Sequence, residues 1–345
     1  MKKNVLILLS FIMIATLAAC AGEVAEPTAI IATEPVATAA QTAVTPSLPP
    51  TEYTAQLPTT PSVDEQPRPR PEVDREGHPI TLPETINSII SIGPAKTEIL
   101  VALGAADRII AACMFSENVA GLPEGVSMRL DIVGLDAEYV VSLMPDIVFI
   151  TDMARVGGAD DPLAPVSQAG ISVIYMPSST SITGVIEDIR FIAAILEEFD
   201  AGETIISTMQ AEIDQVVEIA ANIQTSRRVY FEVYPAPWMV SFGQGTFLHE
   251  MIELLGAENI FADVDGWFSV SDEVLIYLDP EVILTTTDVL DDPIGEIKQR
   301  PGFSAITAVQ NGEVFQICTD ASSRPSHNIV VALREMAVAI FPEYF

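Results

Sequence analysis

The sequence predicts an α/β protein made of two similar parallel-sheet lobes, joined by one long backbone helix, with a ligand cleft between the lobes. Three observations predict this fold. Short apolar strands alternate with helical segments, two segments of the chain repeat with the same spacing, and a long amphipathic stretch separates the repeats. Alternating strands and helices favour parallel sheets that are covered by helices on both faces.

Eight short apolar runs rich in β-branched residues are the predicted strands. Four of them precede the middle of the chain and four follow it. The first four are 88–92, 108–114, 146–150 and 171–176, and the second four are 228–234, 239–242, 281–285 and 313–317.

Two internal repeats predict that the lobes share one topology. Residues 136–151 align with residues 271–286 without a gap, and each copy runs from a helix-capping residue to a proline, an acid and an apolar strand. In a second pair, Ser91-Ile-Gly and Leu103-Gly-Ala align with Ser241-Phe-Gly and Leu255-Gly-Ala, with two residues inserted. We therefore expect an N-terminal lobe over 77–180 and a C-terminal lobe over 227–345.

The segment 181–226 between the lobes predicts two connecting helices. In its second part, 201–223, apolar residues recur at helical spacing and form one stripe. At about 1.5 Å per residue, this helix would span roughly 35 Å, enough to run from one lobe to the other. A single stiff helix predicts little hinge closure.

The N-terminal 19 residues have the features of an export signal, with Lys2 and Lys3 before an apolar run. The following Leu17-Ala-Ala-Cys20 resembles the cleavage box of bacterial lipoproteins, which implies that Cys20 becomes a lipid-bearing N-terminus. An ordinary secretory signal with a chance cysteine is the alternative. Residues 20–76 are rich in Pro, Thr and Ala, which predicts an extended, solvated stalk that holds the folded part away from the membrane.

Composition excludes two classes of protein. The chain has 16 Lys and Arg residues against 48 Asp and Glu, a net charge of −32. Such an acidic surface repels polyphosphate, so no nucleic-acid partner is expected. The 49% of apolar residues exclude wholesale disorder.

Candidate ligand contacts follow the predicted strands, because ligands of open α/β sheets bind at the carboxyl ends of the strands. Aromatic, Met and cationic side chains dominate these positions, which suits a large, flat, partly apolar ligand with anionic edges. Some of them could instead cover the interior of a lobe. The candidates are Pro94, Lys96, Phe115, Arg129, Met153 and Arg155 in the first lobe, and Trp238, Phe242, Trp267 and Arg324 in the second.

Catalytic and metal motifs are missing from the sequence, so we predict no catalytic residue, no metal site and no cofactor. Gly243-Gln-Gly245 lacks the third glycine of a dinucleotide fingerprint and is interpreted as a helix start. His249 is expected to be a packing residue, whereas His327 remains possible as one axial ligand of a haem-like iron. Cys113 and Cys318 end strands in opposite lobes and are expected to be small buried hydrophobic residues.

Glu138 and Glu273 occupy equivalent positions in the two aligned segments 136–151 and 271–286, each near the start of a predicted helix. Any acid in a first turn complements the helix dipole, by about 0.3–1 kcal/mol. That effect explains either residue alone, but it does not explain why both lobes keep the same offset. A pseudo-symmetric partner with basic pockets would explain it.

The chain resembles the substrate-binding lipoproteins of ABC importers for cobalamin and iron–siderophore complexes, over nearly all of 78–345. The stretches that carry the resemblance are Ile89-Ile-Ser-Ile-Gly-Pro-Ala-Lys-Thr-Glu-Ile-Leu-Val-Ala-Leu-Gly-Ala105, Leu143-Met-Pro-Asp-Ile-Val-Phe149, Arg300-Pro-Gly-Phe303, Asn311-Gly-Glu-Val-Phe315 and Ser323-Arg-Pro325. The family fold is two α/β lobes joined by one long helix. The resemblance implies that Glu138 and Glu273 dock onto arginines of the membrane permease, and that Trp267 is the cleft tryptophan.

The chain also departs from that family. Cobalamin-binding members have more tryptophan in the first lobe, where this chain has Arg129 and Thr151. This departure bears on which ligand is bound. The manganese- and zinc-binding relatives are disfavoured, because their His ligands are absent.

The resulting functional prediction is a monomeric receptor, lipid-anchored outside the cytoplasmic membrane, that delivers a corrinoid or ferric siderophore to an ABC permease dimer. It would be no enzyme, because ATP hydrolysis belongs to a separate subunit. Two alternatives stay open. One is an extracytoplasmic enzyme acting on haem, another tetrapyrrole or a metal chelate, and the other is a surface sensor or adhesion module.

Overall fold

Five parallel strands form the sheet of the first lobe. The structure is a computed structural model that describes residues 68–155 and 161–345, and the chain from Pro69 to Phe345 forms one unit. In chain order, the elements of the first lobe are β1 (Ile89–Ile92), α1 (Pro94–Ala102), β2 (Ile109–Cys113), β3 (Ser127–Leu130), α2 (Ala137–Ser142), β4 (Ile147–Thr151), α3 (Ala164–Gln168) and β5 (Ser172–Met176).

The strands of this sheet are arranged in the order β3-β2-β1-β4-β5. Every residue of the central strands β1 and β4 is buried, as expected for a parallel sheet covered on both faces. All four predicted runs of this lobe are strands. The sequence missed β3, an edge strand of which only Leu130 is buried.

The second lobe has a four-stranded parallel sheet in the order β11-β10-β6-β8, and a separate antiparallel pair, β7 and β9. The predicted run 239–242 does contain a strand. It lies outside the main sheet, however, and it is antiparallel to its partner, which the expectation of parallel sheets did not include. Its partner is the segment around Trp267, with Phe242 opposite Trp267. The elements are β6 (Arg228–Glu232), β7 (Val240–Phe242), α6 (Phe247–Leu254), β8 (Glu258–Asn259), β9 (Trp267–Ser269), α7 (Asp272–Leu278), β10 (Val282–Thr285), α8 (Pro293–Gln299), α9 (Thr307–Asn311), β11 (Val314–Gln316), α10 (Thr319–Ser323) and α11 (Ile329–Ile340).

Two connecting helices, α4 (Ile182–Leu196) and α5 (Phe199–Ala220), join the lobes, as predicted. The 22 residues of α5 span about 33 Å. Gly202 allows α4 and α5 to approach closely, because a Cβ there would lie 2.6 Å from the Cβ of Ala193. Within the described part of the chain, no helix is both long and apolar enough to span a membrane.

One hydrophobic core serves both lobes. It includes Ile89 and Phe149 of the first sheet, Met209 of α5, Leu284 of the second sheet and Leu333 of α11. A smaller cluster covers the opposite face of each sheet. The connecting helices are therefore part of the hydrophobic core on which both lobes pack.

The C-terminal end of the predicted stalk belongs to the first lobe. Asp74 is buried, and Arg75 forms ion pairs of 2.9 Å with Asp188 and 3.0 Å with Glu187 on α4. The stalk boundary at residue 76 is therefore a few residues too late, because these side chains find partners that are distant in the sequence. The signal peptide, Cys20 and most of the stalk lie outside the described residues.

Candidate functional site

The carboxyl-terminal edge of the first sheet holds three of the predicted ligand contacts. β1 ends at Gly93, which has a φ of +147°, and Pro94 then occupies the first position of α1. Phe115 lies half-buried in a short 3₁₀ helix after β2, and Met153 lies after β4 with 38% of its surface exposed. Pro94, Phe115 and Met153 thus offer partly apolar surface at this edge.

Two predicted cations of the first lobe lie near the same strands. Arg129 on β3 is exposed, and its Cζ atom lies 5.1 Å from the centre of the Tyr139 ring. This distance is within the range of a cation–π interaction, which orients the guanidinium. Arg155 ends the short helix after β4, and its side chain lies outside the described set.

Lys96 differs from the exposed Arg129 because it is only 3% exposed. Burial lowers the pKa of its ammonium group, whereas Asp188, Asp152 and Cys113 act in the opposite direction. Lys96 lies in the first turn of α1, and the sequence alone gave no sign that it is buried there.

The two tryptophans of the chain are half-exposed on the second lobe. Trp267 on β9 is 51% exposed, and Trp238, between β6 and β7, is 48% exposed. Phe242 is fully buried and supports Trp267 edge-on, with ring centres 5.5 Å apart. Phe242 has no exposed surface for direct ligand contact in this structure, because the β7–β9 pairing turns its ring into the core.

Arg324 joins the two lobes. Its guanidinium forms a 2.8 Å ion pair with Glu98 of α1 and donates a 3.1 Å hydrogen bond to the carbonyl of Phe115. Both charged side chains are more than nine-tenths buried. The predicted grip of Arg324 on a ligand is thus replaced here by an inter-lobe ion pair.

A cavity of about 310 Å³ lies beside this ion pair, between α1 and the start of α11. Burial lowers the pKa of His327 at this cavity, and its buried Nδ1 atom has no hydrogen-bond partner among the described residues. The lining residues include Glu98, Val101, Asn118, Cys318, Asp320, Arg324 and His327.

Glu138 and Glu273 are both exposed in the first turns of α2 and α7. The pKa of Glu273 is lowered by hydrogen bonds to its own backbone amide and to the Ser271 side chain. One turn beyond Glu273, Tyr277 is 86% exposed. Since residues four apart share a helix face, Glu273 and Tyr277 form one exposed stripe.

The sequence pattern of the periplasmic binding protein family matches residues 89–321 of the chain. The chain belongs to this family. It is 26% identical over 277 residues to YvrC of Bacillus subtilis, which is named as an uncharacterized ABC transporter substrate-binding lipoprotein. The matched region covers 79% of this chain and 85% of that one. The chain is also 26% identical over 280 residues to a cobalamin-binding protein of Halobacterium salinarum, covering 78% and 73% of the two chains.

A solved structure agrees with this assignment. The chain is similar to a possible iron-binding, periplasmic solute-binding protein of Staphylococcus epidermidis, with a TM-score of 0.66 and 26% identity. The match covers 75% of this chain and all of that one. The predicted fold of two α/β lobes with a helical connection is thus confirmed.

The periplasmic binding protein has two free cysteines among its described residues, with different environments. Cys113 is buried, as predicted, and burial raises the pKa of its thiol. Cys318 is exposed, so its assignment as a buried hydrophobic residue was wrong. It precedes α10 at the inter-lobe cavity instead of continuing β11 into the core. His249 is a packing residue, since it is buried and lies 3.3 Å from the Asn259 side chain.

Arg300 of this periplasmic binding protein forms a buried ionic cluster that the sequence analysis did not identify. It forms ion pairs with Glu232, at the end of β6, and with Glu296 of α8, each at 2.5 Å. Its guanidinium also lies 5.3 Å from the centre of the Phe303 ring. The Arg300-Pro-Gly-Phe303 stretch therefore anchors α8 to the end of a central strand. Glu232 is 68 residues away from Arg300 in the sequence, so the burial of this cluster gave no local signal.

Within the described ranges, one group could hold a metal ion: donor atoms of Asp74, Glu76 and His78 lie within 4.8 Å of one another. Internal bonding accounts for this grouping. Asp74 accepts hydrogen bonds of 2.9 Å from the backbone amides of Glu76 and His78, and its second oxygen lies 3.3 Å from the His78 ring. These contacts describe a closed turn.

Proposed function

We propose that this periplasmic binding protein captures a corrinoid or an iron–siderophore complex outside the cytoplasmic membrane and delivers it to an ABC import permease. One observation carries the proposal: two half-exposed tryptophans lie on one lobe, while Arg129 and Met153 are exposed on the other. Large flat chelates bind to aromatic faces and apolar edges, with cations at their polar rim. The relatives named for cobalamin and iron support the same ligand class.

Ligand contacts in this proposal fall into two groups. Exposed or half-exposed side chains would touch the ligand, and buried ones would hold them in place. Phe242 belongs to the second group because it supports Trp267, and Arg324 because it fixes one lobe against the other. The first group consists of Pro94, Phe115, Arg129, Met153, Trp238 and Trp267. Two further cations at the strand ends stand apart from this division: Lys96, which is buried, and Arg155.

Delivery would use Glu138 and Glu273 as docking points for basic side chains of the permease dimer. Both are exposed, and their two helices occupy equivalent places in the lobes. On the second lobe, a cavity of about 520 Å³ is lined in part by Asp272, Asp292 and Glu296 and by Arg300, which already pairs with Glu296. Asp272 and Asp292 are therefore the carboxylates that would face a cationic partner there. The buried Oδ1 atom of Asp272 has no hydrogen-bond partner in the described chain.

Attachment would be through lipid on Cys20, with the residues between Cys20 and Asp74 as the spacer between the membrane and the first lobe. Several acyl chains give stable membrane residence. The lipoprotein name of the Bacillus subtilis relative supports this anchoring. The protein would act as a monomer and bind without chemistry, with ATP hydrolysis in a separate subunit of the importer.

Tryptophan fluorescence tests the ligand class. The unit Pro69–Phe345 would be titrated with cyanocobalamin, haem and a panel of ferric siderophores, with correction for absorbed light. Saturable quenching by one ligand at sub-micromolar concentration is the expected result, and Trp267→Phe should remove most of it. If no ligand of the panel quenches the tryptophan fluorescence, the proposal is overturned. Recovery of a chemically modified ligand would favour an enzyme instead.

A further inference from the structure

Lys96 is a buried cation with no direct partner in the described part of the chain. It is 3% exposed, and among the described residues no hydrogen bond or salt bridge engages its ammonium group. Lysine usually keeps its charged end in water while its stem packs against apolar surface. An unpaired charge in a protein interior is costly, so this position requires an explanation.

The Lys96 side chain is directed toward the carboxyl-terminal edge of the first sheet. Side chains on a helix lean toward its N-terminus, which for α1 is the end next to β1. The Cδ atom of Lys96 lies 3.3 Å from the place that a Cβ of Gly93 would occupy. Its electrostatic neighbours Asp152 and Cys113 lie at the ends of β4 and β2.

The two carboxylates that act to raise the pKa of Lys96 are already engaged by other groups. Asp152 accepts hydrogen bonds of 3.0 Å from the Thr151 hydroxyl and 3.1 Å from the Ser178 amide. Asp188 forms its 2.9 Å ion pair with Arg75 and accepts a 2.6 Å hydrogen bond from Ser179. Neither acid forms a hydrogen bond or ion pair with Lys96 among the described residues, so each acts on the ammonium group only through its charge.

We propose that Lys96 binds an anionic group of the ligand, a carboxylate or a phosphate, at the first-lobe side of the cleft. This inference rests on the proposed function and narrows its ligand class to chelates that carry such a group. Gly93 has a part in the site, because any side chain there would occupy the space next to the Lys96 stem. An ion pair formed in a site shielded from water is stronger than one on the surface.

Binding would be coupled to protonation. Burial lowers the pKa of Lys96 in the free protein, and a bound anion would raise it again. Affinity for an anionic ligand is therefore greatest below the pKa of the free protein and falls as the pH rises through it. Above that pKa, binding takes up a proton. A ligand without the anionic group shows neither effect at this site.

Paired ligands test the inference. Haem would be compared with haem dimethyl ester, which lacks free carboxylates, and cyanocobalamin with dicyanocobinamide, which lacks the phosphate together with the rest of the nucleotide loop. Lys96→Met should lower the affinity for the anionic member of the bound pair by about tenfold or more and leave its partner unchanged. Lys96→Arg should retain the preference in part, and Lys298→Met, which removes an exposed charge from α8, should change neither affinity.

Stability separates recognition from a structural role. Lys96→Met should leave the unfolding temperature unchanged or raise it, because the variant removes an unpaired buried charge. Equal loss of affinity for both members of a pair, or no loss for either, would overturn the Lys96 inference while the receptor proposal stands. If the wild-type protein binds neither pair nor any ferric siderophore, the proposed function fails and the inference fails with it.

Discussion

Glu98 in the first lobe and Arg324 in the second are 226 residues apart in the sequence and form a 2.8 Å ion pair. The other oxygen of Glu98 accepts hydrogen bonds from Ser326 and, at 3.0 Å, from Asn328, just before α11 begins. Glu98 thus binds a cation and the start of a helix that both belong to the opposite lobe.

A second glutamate makes the reciprocal contact. Glu250 on α6 of the second lobe accepts a 2.7 Å hydrogen bond from the backbone amide of Ile182, the first residue of α4. Glu98 and Glu250 each stand five residues before a Leu-Gly-Ala sequence. In both copies of the repeat, this glutamate therefore binds the start of a helix outside its own lobe: α11 for Glu98 and the connecting helix α4 for Glu250.

Loss of the Glu98 carboxylate should destabilise the protein. We expect Glu98→Ala to lower the free energy of unfolding by about 3 kcal/mol, because it leaves the buried Arg324 with only the partly exposed Asp320 as an ionic partner. Urea denaturation measures the change. Glu98→Ala combined with Arg324→Met should recover part of the loss. A double variant less stable than Glu98→Ala would contradict the ion-pair explanation.

The proposed docking points can be separated from ligand binding. Glu138→Ala combined with Glu273→Ala should abolish uptake of the bound ligand by cells and leave its affinity in solution intact, because both carboxylates lie on exposed helix turns. Glu218→Ala, on the exposed face of α5, is the matched control. Lost ligand affinity in the double variant would refute the docking assignment.

Tyr277 should add apolar contact to the docking surface of the second lobe. The equivalent position of the first repeat is Ser142, so Tyr277→Ser makes the two corners alike. We expect about tenfold weaker binding to the permease in nanodiscs and unchanged ligand affinity, since a large exposed aromatic contributes mainly when a partner covers it. Tyr344→Ser, also exposed, should have no effect. Unchanged permease binding by Tyr277→Ser would exclude this contact.

Docking through Glu273 should persist at acidic pH. Its hydrogen bonds lower the pKa of the carboxyl group, so the charge is retained as the pH falls and is lost only below that lowered value. Ser271→Ala removes one of these bonds and moves the pKa back toward its ordinary range. Permease binding by Ser271→Ala should therefore weaken at a higher pH than in the wild type. Identical pH profiles would show that this hydrogen bond does not control docking.

Thiol labelling checks the different environments of Cys113 and Cys318. With the unit Pro69–Phe345, Ellman's reagent should modify Cys318 rapidly in the native state and Cys113 only after unfolding. Cys318→Ser should abolish the rapid phase. A rapid phase that survives this substitution would mean that Cys113 is accessible.

Sequence patterns predicted the main strands because each carries several apolar residues in a row. They missed β3, where Ser127, Met128 and Arg129 have the polarity of an edge. They predicted 239–242 as a strand but did not show that it is antiparallel and separate from the main sheet. Only the pairing with Trp267 shows that β7 belongs to a separate ribbon.

For the site, local sequence indicated which residues follow strands but not which way they face. Trp267 was predicted as a ligand contact and is exposed, whereas its neighbour Phe242 is buried. The burial of Lys96 depends on a glycine three residues earlier and on surroundings that include Asp188. Contacts of this kind are set by tertiary packing, which periodicity does not encode.

The shared core of the two lobes has a consequence for the order in which the chain can fold. Helix α11 supplies Leu333 and Met336 to the core cluster that also contains Ile89 and Phe149, so this shared core remains incomplete until nearly the last residues are in place. Contacts of such long sequence separation form slowly. A chain that emerges N-terminus first would hold the shared core unfinished, and its last helix would complete that core.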